Sequence, residues 1–185
     1  MPGSERRPAD LSASPATRHV VLVGMMGSGK STVGPALAAR LGRQFADLDG
    51  LVEAASKMTV REFFARYGED EFRNTEGVLL DAALGVPERG VIGCGGGIVT
   101  RVGNRRLLRD GRAFVVWLRA EPETLAERLD GVTDRPLLDG DAVGNLQRLA
   151  GERAAWYDEV ADLVVDVDAL DPAAVVDAVT TAMGR

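Results

Sequence analysis

Residues 24–31 read Gly-Met-Met-Gly-Ser-Gly-Lys-Ser, three glycines in a stretch that closes on a lysine and a hydroxyl. The spacing is G-x-x-x-x-G-K-[ST], which lets backbone N–H groups turn inward around phosphate oxygens. Lys30 can then reach the outer phosphates and the Ser31 hydroxyl can ligate Mg²⁺. A second pair of chemical groups is Asp47-Leu48-Asp49, read as a strand end whose two carboxylates point the same way at period two. One of them could orient a metal's water shell and the other accept a proton from a hydroxyl. An isolated D-x-D is more often an acidic turn capping the next helix, and the phosphate loop beside it reverses that preference.

Four further places complete the set. Gly95-Gly96-Gly97 lacks side chains and so lets a small ligand approach backbone N–H groups, although a plain flexible turn has the same spacing. Arg135 sits in a Gly/Pro/Asp-punctuated stretch, residues 130–144, read as a lid that could bring a guanidinium onto a transferring phosphate. Arg153 shares a helical stripe with Leu146, Leu149, Tyr157 and Val160, so its charge faces inward and needs an anion, whether a ligand or an internal carboxylate. Arg73, on a helix whose Phe72, Leu79, Leu80 and Ala83 face the core, would alone be an ordinary surface arginine. Arginines and an acidic base together suit a small acceptor carrying both a carboxylate and a hydroxyl.

The elements that must hold these residues follow from periodicity. His19–Val23 is a β-branched run that stops at Gly24, and Val33, Leu37 and Leu41 recur at helical spacing up to Gly42. Further strands are expected around residues 44–47, 90–94, 113–118 and 163–167, each separated by helical segments. Alternation of this kind predicts an α/β fold with a parallel sheet covered on both faces. Thr59 with Glu62 forms a capping box, Pro122 suits a first helical position, and Asp171 before Pro172 opens the last helix. Pro35 falls inside the first helix, where it removes a donor and is expected to kink the chain.

A length of 185 residues gives one domain, and an apolar share of 45% with 27% charged residues predicts a folded core. The net charge of −6 argues against nucleic acid as a partner. A single cysteine, Cys94, and a single histidine, His19, exclude an internal disulfide and a Cys/His zinc site, and Cys94 reads as a small buried residue. Residues 1–18 read as a loose tail without a signal-peptide core, and no stretch is long and apolar enough for a membrane span, so a cytoplasmic protein without a membrane partner is expected. No coiled-coil pattern stands out, and a monomer is the default.

GMMGSGKST, DLD, GEDEFRNTE, CGGG, DRPLL and ERAAWY, in this order and spacing, resemble the shikimate kinase family from about His19 onward. The phosphate loop is widespread, whereas the GE-x-x-FR-x-x-E, triple-glycine and RPLL segments together are specific to this family. The resemblance implies a P-loop NTPase of three α/β/α layers with a five-stranded parallel sheet, a substrate-binding region over about residues 49–84 and a lid over about 130–144. It implies transfer of phosphate from ATP to the 3-hydroxyl of shikimate, with one Mg²⁺. By position it makes Gly27, Ser28, Gly29, Lys30, Ser31 and Thr32 the ATP loop, and Asp47 the residue near the metal's water shell. Asp49 resembles the residue on the shikimate hydroxyl and possible base, Arg73 and Arg153 the carboxylate clamp, and Gly96 with Gly95 and Gly97 the loop on the ring hydroxyls. Arg135 resembles the lid arginine on ATP and Arg128 the arginine that stacks on adenine, a plain surface arginine being nearly as good a reading of the latter. The run Asp168–Asp171 departs from the family where a polar or basic residue often contacts adenine, and Pro35 stands where a basic residue is common. Phosphorylation of gluconate or a nucleoside monophosphate on the same fold is the alternative activity, and an ATP-binding module without catalysis the alternative class.

Overall fold

The computed structural model describes residues 14–129 and 141–184. Five strands, β1 (His19–Val23), β2 (Phe45–Asp47), β3 (Val91–Gly93), β4 (Ala113–Arg119) and β5 (Leu163–Asp166), form one parallel sheet in the order β2-β3-β1-β4-β5. Among the described residues seven α-helices run alongside: α1 (Lys30–Leu41), α2 (Leu48–Ser56), α3 (Val60–Gly85), α4 (Val102–Leu108), α5 (Pro122–Leu129), α6 (Ala142–Val160) and α7 (Pro172–Ala182). All strands lie at the expected places, with no end displaced by more than one residue.

Successive side chains of a strand face opposite sides of the sheet, and β1 shows the result. Val21 and Val23 pack with Leu80, Leu108, Leu125 and Leu149 in one core. Val20 and Leu22 pack with Leu37, Val175 and Val179 of α1 and α7 in the other. β1 is therefore apolar from Val20 to Val23 and wholly buried. The chain leaves β1 toward β2 and leaves β4 toward β5, so the crevice outside the carboxyl ends of the central strands is where a ligand belongs.

α3 begins at the capping box of Thr59 and Glu62, both halves of which are present. Its ladder breaks at Gly68, whose φ of 80° and ψ of 172° are not helical. In a straight helix residues eight apart are separated by roughly 12 Å along the axis. Here the rings of Phe64 and Phe72 lie 4.6 Å apart, because the bend folds the two halves onto one another. Val52, Phe63 and Phe72 make a small separate core there, under α2 and α3.

Three expectations need adjustment. Of the stretch read as a loose tail, residues 14–18 are held: Arg43 donates to the carbonyls of Ala16 and Arg18, and Arg18 donates to the Ala113 carbonyl. The last residues of the stretch read as a lid belong to the first turn of α6, capped by Asp141, while its centre lies outside the described residues. α1 runs on through Pro35, which sits on the exposed side. Among the described residues no helix is long and apolar enough to cross a membrane.

His19, 1% exposed at the start of β1, accepts the Gly90 N–H at Nδ1 (3.1 Å) and so carries its proton on Nε2, which faces the Val86 carbonyl at 3.1 Å. Burial lowers its pKa below the ordinary 6.5; the bond to Val86 opposes this, and Arg89, Arg43 and Arg112 push the same way as burial. A depressed folded-state pKa adds stability above the unfolded value and loses it as pH falls through the folded one. The stability advantage of the native chain over His19→Gln, measured by urea unfolding, is expected to shrink as pH drops below about 6.5. Gly34→Ala places a Cβ against the Phe45 ring and should lower stability by about 1–3 kcal/mol in the same assay.

Candidate active site

The phosphate loop joins β1 to α1 as the sequence requires. Gly29, at φ 94°, is the N-cap of α1 and supplies no side-chain cap, which leaves the first-turn N–H groups open to an anion. Lys30 Nζ donates to the carbonyls of Gly24 (2.9 Å) and Met25 (2.7 Å) and to Ser28 Oγ (3.3 Å), so its charge is anchored over the loop. Ser31 Oγ lies 3.4 Å from Asp47 Oδ2. A hydroxyl and a carboxylate at that separation are hard oxygen donors that fit Mg²⁺. Among the described residues no group of three or more acidic, His or Cys side chains could hold a metal by itself, so a cation here must share its shell with phosphate and water.

Asp47 and Asp49 are not two alternate residues of one strand. β2 ends at Asp47, which caps α2, its Oδ1 accepting the Asp49 N–H at 3.0 Å. The capping role and the site role are thus compatible: the cap turns Asp49 into the first turn of α2, beside the loop after β3. A cleft of about 480 Å³ is lined by Gly27–Thr32, Asp47, Asp49, Gly95, Gly96 and Arg128, with Pro172 at its far side. Arg128 donates to the Val167 carbonyl at 2.7 Å, tying α5 to the segment after β5.

Arg73 and Arg153 flank the glycine turn and are both only 6% exposed. Arg73 is far from the surface arginine its sequence context suggested. Its Nε and Nη2 donate to Glu69 Oε1 (3.2 and 3.1 Å), and its Nη1 to Glu76 Oε2 (2.5 Å). That leaves one N–H on each terminal nitrogen, a fork suited to a further carboxylate. Gly97 is so close to this guanidinium that a Cβ would collide with it. Arg153 Nη1 donates to the Gly96 carbonyl at 3.2 Å, and among the described residues it forms no ion pair. Burial of a cation without a carboxylate leaves its other donors for a ligand.

Three residues of the site were given no role by sequence reasoning, although Glu69 and Glu76 are the fixed acids of the GE-x-x-FR-x-x-E segment. Tyr157 Oη donates to the same Gly96 carbonyl at 2.5 Å, and its pKa is pushed up, chiefly by burial. Its place four residues after Arg153 on the inward stripe was the available signal. Glu69 and Glu76 stand at i−4 and i+3 from Arg73, the spacing of helical ion pairs. Burial pushes the Glu76 carboxyl up to about 7, against the opposing pull of Arg73's charge and hydrogen bond. Cys94 is fully buried, and burial with nearby carboxylates drives its thiol far above the ordinary range, so it is no nucleophile. Arg135 lies outside the described residues.

The shikimate kinase family model matches residues 26–184, from inside the phosphate loop to the end of α7. The chain belongs to this family. The shikimate kinase of Symbiobacterium thermophilum is 48% identical over 154 residues, covering 81% of this chain and 87% of its own. That of Zymomonas mobilis is 39% identical over 175 residues, covering 94% and 97%. The shikimate kinase from Acinetobacter baumannii in complex with shikimate has a TM-score of 0.84 at 32% identity, covering 89% of this chain and 91% of that one. A gluconokinase from Sinorhizobium meliloti, TM-score 0.59 at 21% identity, shares the fold alone. Members of the shikimate kinase family are kinases of the P-loop α/β type, and this chain has that architecture.

Gly97→Ala must displace the Arg73 guanidinium while leaving the phosphate loop untouched. It is expected to raise KM for an anionic acceptor about tenfold or more, roughly 1.4 kcal/mol, with KM for the nucleotide unchanged in the same steady-state assay.

Proposed function

We propose that this chain transfers the terminal phosphoryl group of ATP to the 3-hydroxyl of shikimate, giving shikimate 3-phosphate and ADP. The observation that carries the reading is the pairing of two buried arginines, Arg73 and Arg153, with Asp49 across a side-chain-free turn beside the phosphate loop. A ligand with a carboxylate at one end and hydroxyls at the other matches that distribution of charge. Family membership and the shikimate bound to the Acinetobacter baumannii relative support the same acceptor.

In this reading Gly27–Thr32 and the start of α1 hold the phosphates, with Lys30 as the local cation. Mg²⁺ would be held by Ser31 directly and by Asp47 through water, and when bound it neutralises charge on the outer phosphates. Arg73 and Arg153 grip the acceptor's carboxylate, and Gly95–Gly97 bring backbone against its ring. That fixes a hydroxyl next to Asp49, which accepts the proton as the oxygen attacks. Arg128 packs on the adenine. Arg135 is proposed, from its place in the sequence, to bring a guanidinium onto the transferring phosphate. Residues 49–84 form the acceptor side, the stretch before α6 is assigned the lid from its place in the sequence, and every assigned residue comes from one chain, so a monomer suffices.

ADP release with MgATP is expected with shikimate and to be absent with gluconate, AMP or no acceptor. Release with another acceptor alone would keep the kinase and discard the clamp, and binding of ATP without release would leave a non-catalytic module. Asp49→Asn should lower kcat with shikimate by about 10²–10⁴, the range of a lost general base. A variant with near-native kcat would remove Asp49 from that role.

A further inference from the structure

Glu76 is wholly buried, and its two oxygens have different fates. Oε2 receives the Arg73 bond, while Oε1 has neither solvent nor a hydrogen-bond partner. Oε1 faces the same point beside the Gly95 Cα as Asp49 Oδ1: a Cβ placed there would meet them at 2.7 and 2.8 Å. Buried carboxylate oxygens without a donor are rare, because the desolvated charge has nothing to offset it.

The surroundings make this imbalance worse when an acceptor arrives. Around Glu76 stand Arg73 and Glu69 on its own helix, Asp49 from α2 and Cys94 from the end of β3. Asn104 of α4, packed on Gly77, carries no charge, and the Cys94 thiol stays protonated. One guanidinium thus already serves two carboxylates, with a third close by. A docking carboxylate adds another negative charge at the remaining fork of Arg73 and covers the turn.

We propose that Glu76 takes up a proton on Oε1 when the acceptor's carboxylate docks on Arg73. The proton comes from bulk buffer and one O–H bond forms; nothing else changes. Neutral Glu76 keeps Oε2 as an acceptor for Arg73 and turns Oε1 into a donor toward Asp49, so the orphaned oxygen gains a use. The carboxyl's midpoint near 7 without acceptor makes it ready for this exchange close to neutrality. The inference rests on the clamp role of Arg73 given above.

The test is calorimetric titration of shikimate into the full chain without nucleotide, in buffers of different protonation heat. Near pH 8 the native chain is expected to take up close to one proton per shikimate, and near pH 5.5 almost none. Its Kd should rise about tenfold between pH 6 and pH 8, whereas Glu76→Gln, which keeps an acceptor for Arg73, should show a flat Kd and no uptake. Shikimate binding to the native chain without proton uptake near pH 8 overturns the proposal and leaves the clamp standing, and that result does not depend on any variant folding. Uptake that persists in Glu76→Gln overturns it as well. Failure of shikimate to bind the native chain at all overturns the clamp and this inference together.

Discussion

The carbonyl oxygen of Gly96 accepts from Tyr157 and from Arg153, and through it α6 is fastened to the loop that ends β3. Around this one atom the proposed acceptor side is assembled. Gly97 leaves room for the Arg73 guanidinium, Gly95 leaves room for the carboxyls of Glu76 and Asp49, and Gly96 itself packs against the backbone of the phosphate loop. Side chains at these three positions would fill the volume that charges now occupy. The turn works because it contributes backbone and nothing more.

Each element of the candidate site reaches this turn from a different part of the sheet. β1 delivers the phosphate loop, β2 delivers Asp47 as a cap and Asp49 two residues later in the first turn of α2, and β3 delivers the glycines. Their parallel arrangement sets all three carboxyl ends on one edge, so residues far apart in sequence meet without long loops. The apolar layers on the two faces make that alignment stiff. Stiffness matters at the acceptor, where an error of an ångström between hydroxyl and phosphate costs much of the rate.

Much of this was legible in the residues themselves. The phosphate loop, the capping box at Thr59 and the caps at Pro122 and Asp171 are local motifs, and local hydrogen bonds settle them. The buried strands β1, β3 and β4 were readable because buried parallel strands are continuous, largely β-branched apolar runs, whereas β2 at the sheet edge, Phe45–Asp47, carries no β-branched residue. The burial of Arg73 was not readable, since it depends on the glycine turn after β3 packing against its guanidinium. Nor was the geometry of Asp47 and Asp49, because a strand end and a helix cap share one sequence pattern and only the length of β2 decides between them. The partition of Glu76 into one bonded and one orphaned oxygen is a product of packing that no spacing encodes.

The bend at Gly68 ties the acceptor side to backbone handedness. Phe64 and Phe72 both lie near the Arg73 guanidinium, with centroids 5.7 and 5.2 Å from its carbon, and only the fold-back at Gly68 brings the first of them there. A left-handed step is natural for a residue without a Cβ and strained for any mirror-sensitive L side chain. The approach of Phe64 to the guanidinium is therefore inherited from the achirality of a residue outside the candidate site. Selection acting on the clamp would reach position 68 as surely as it reaches the arginine.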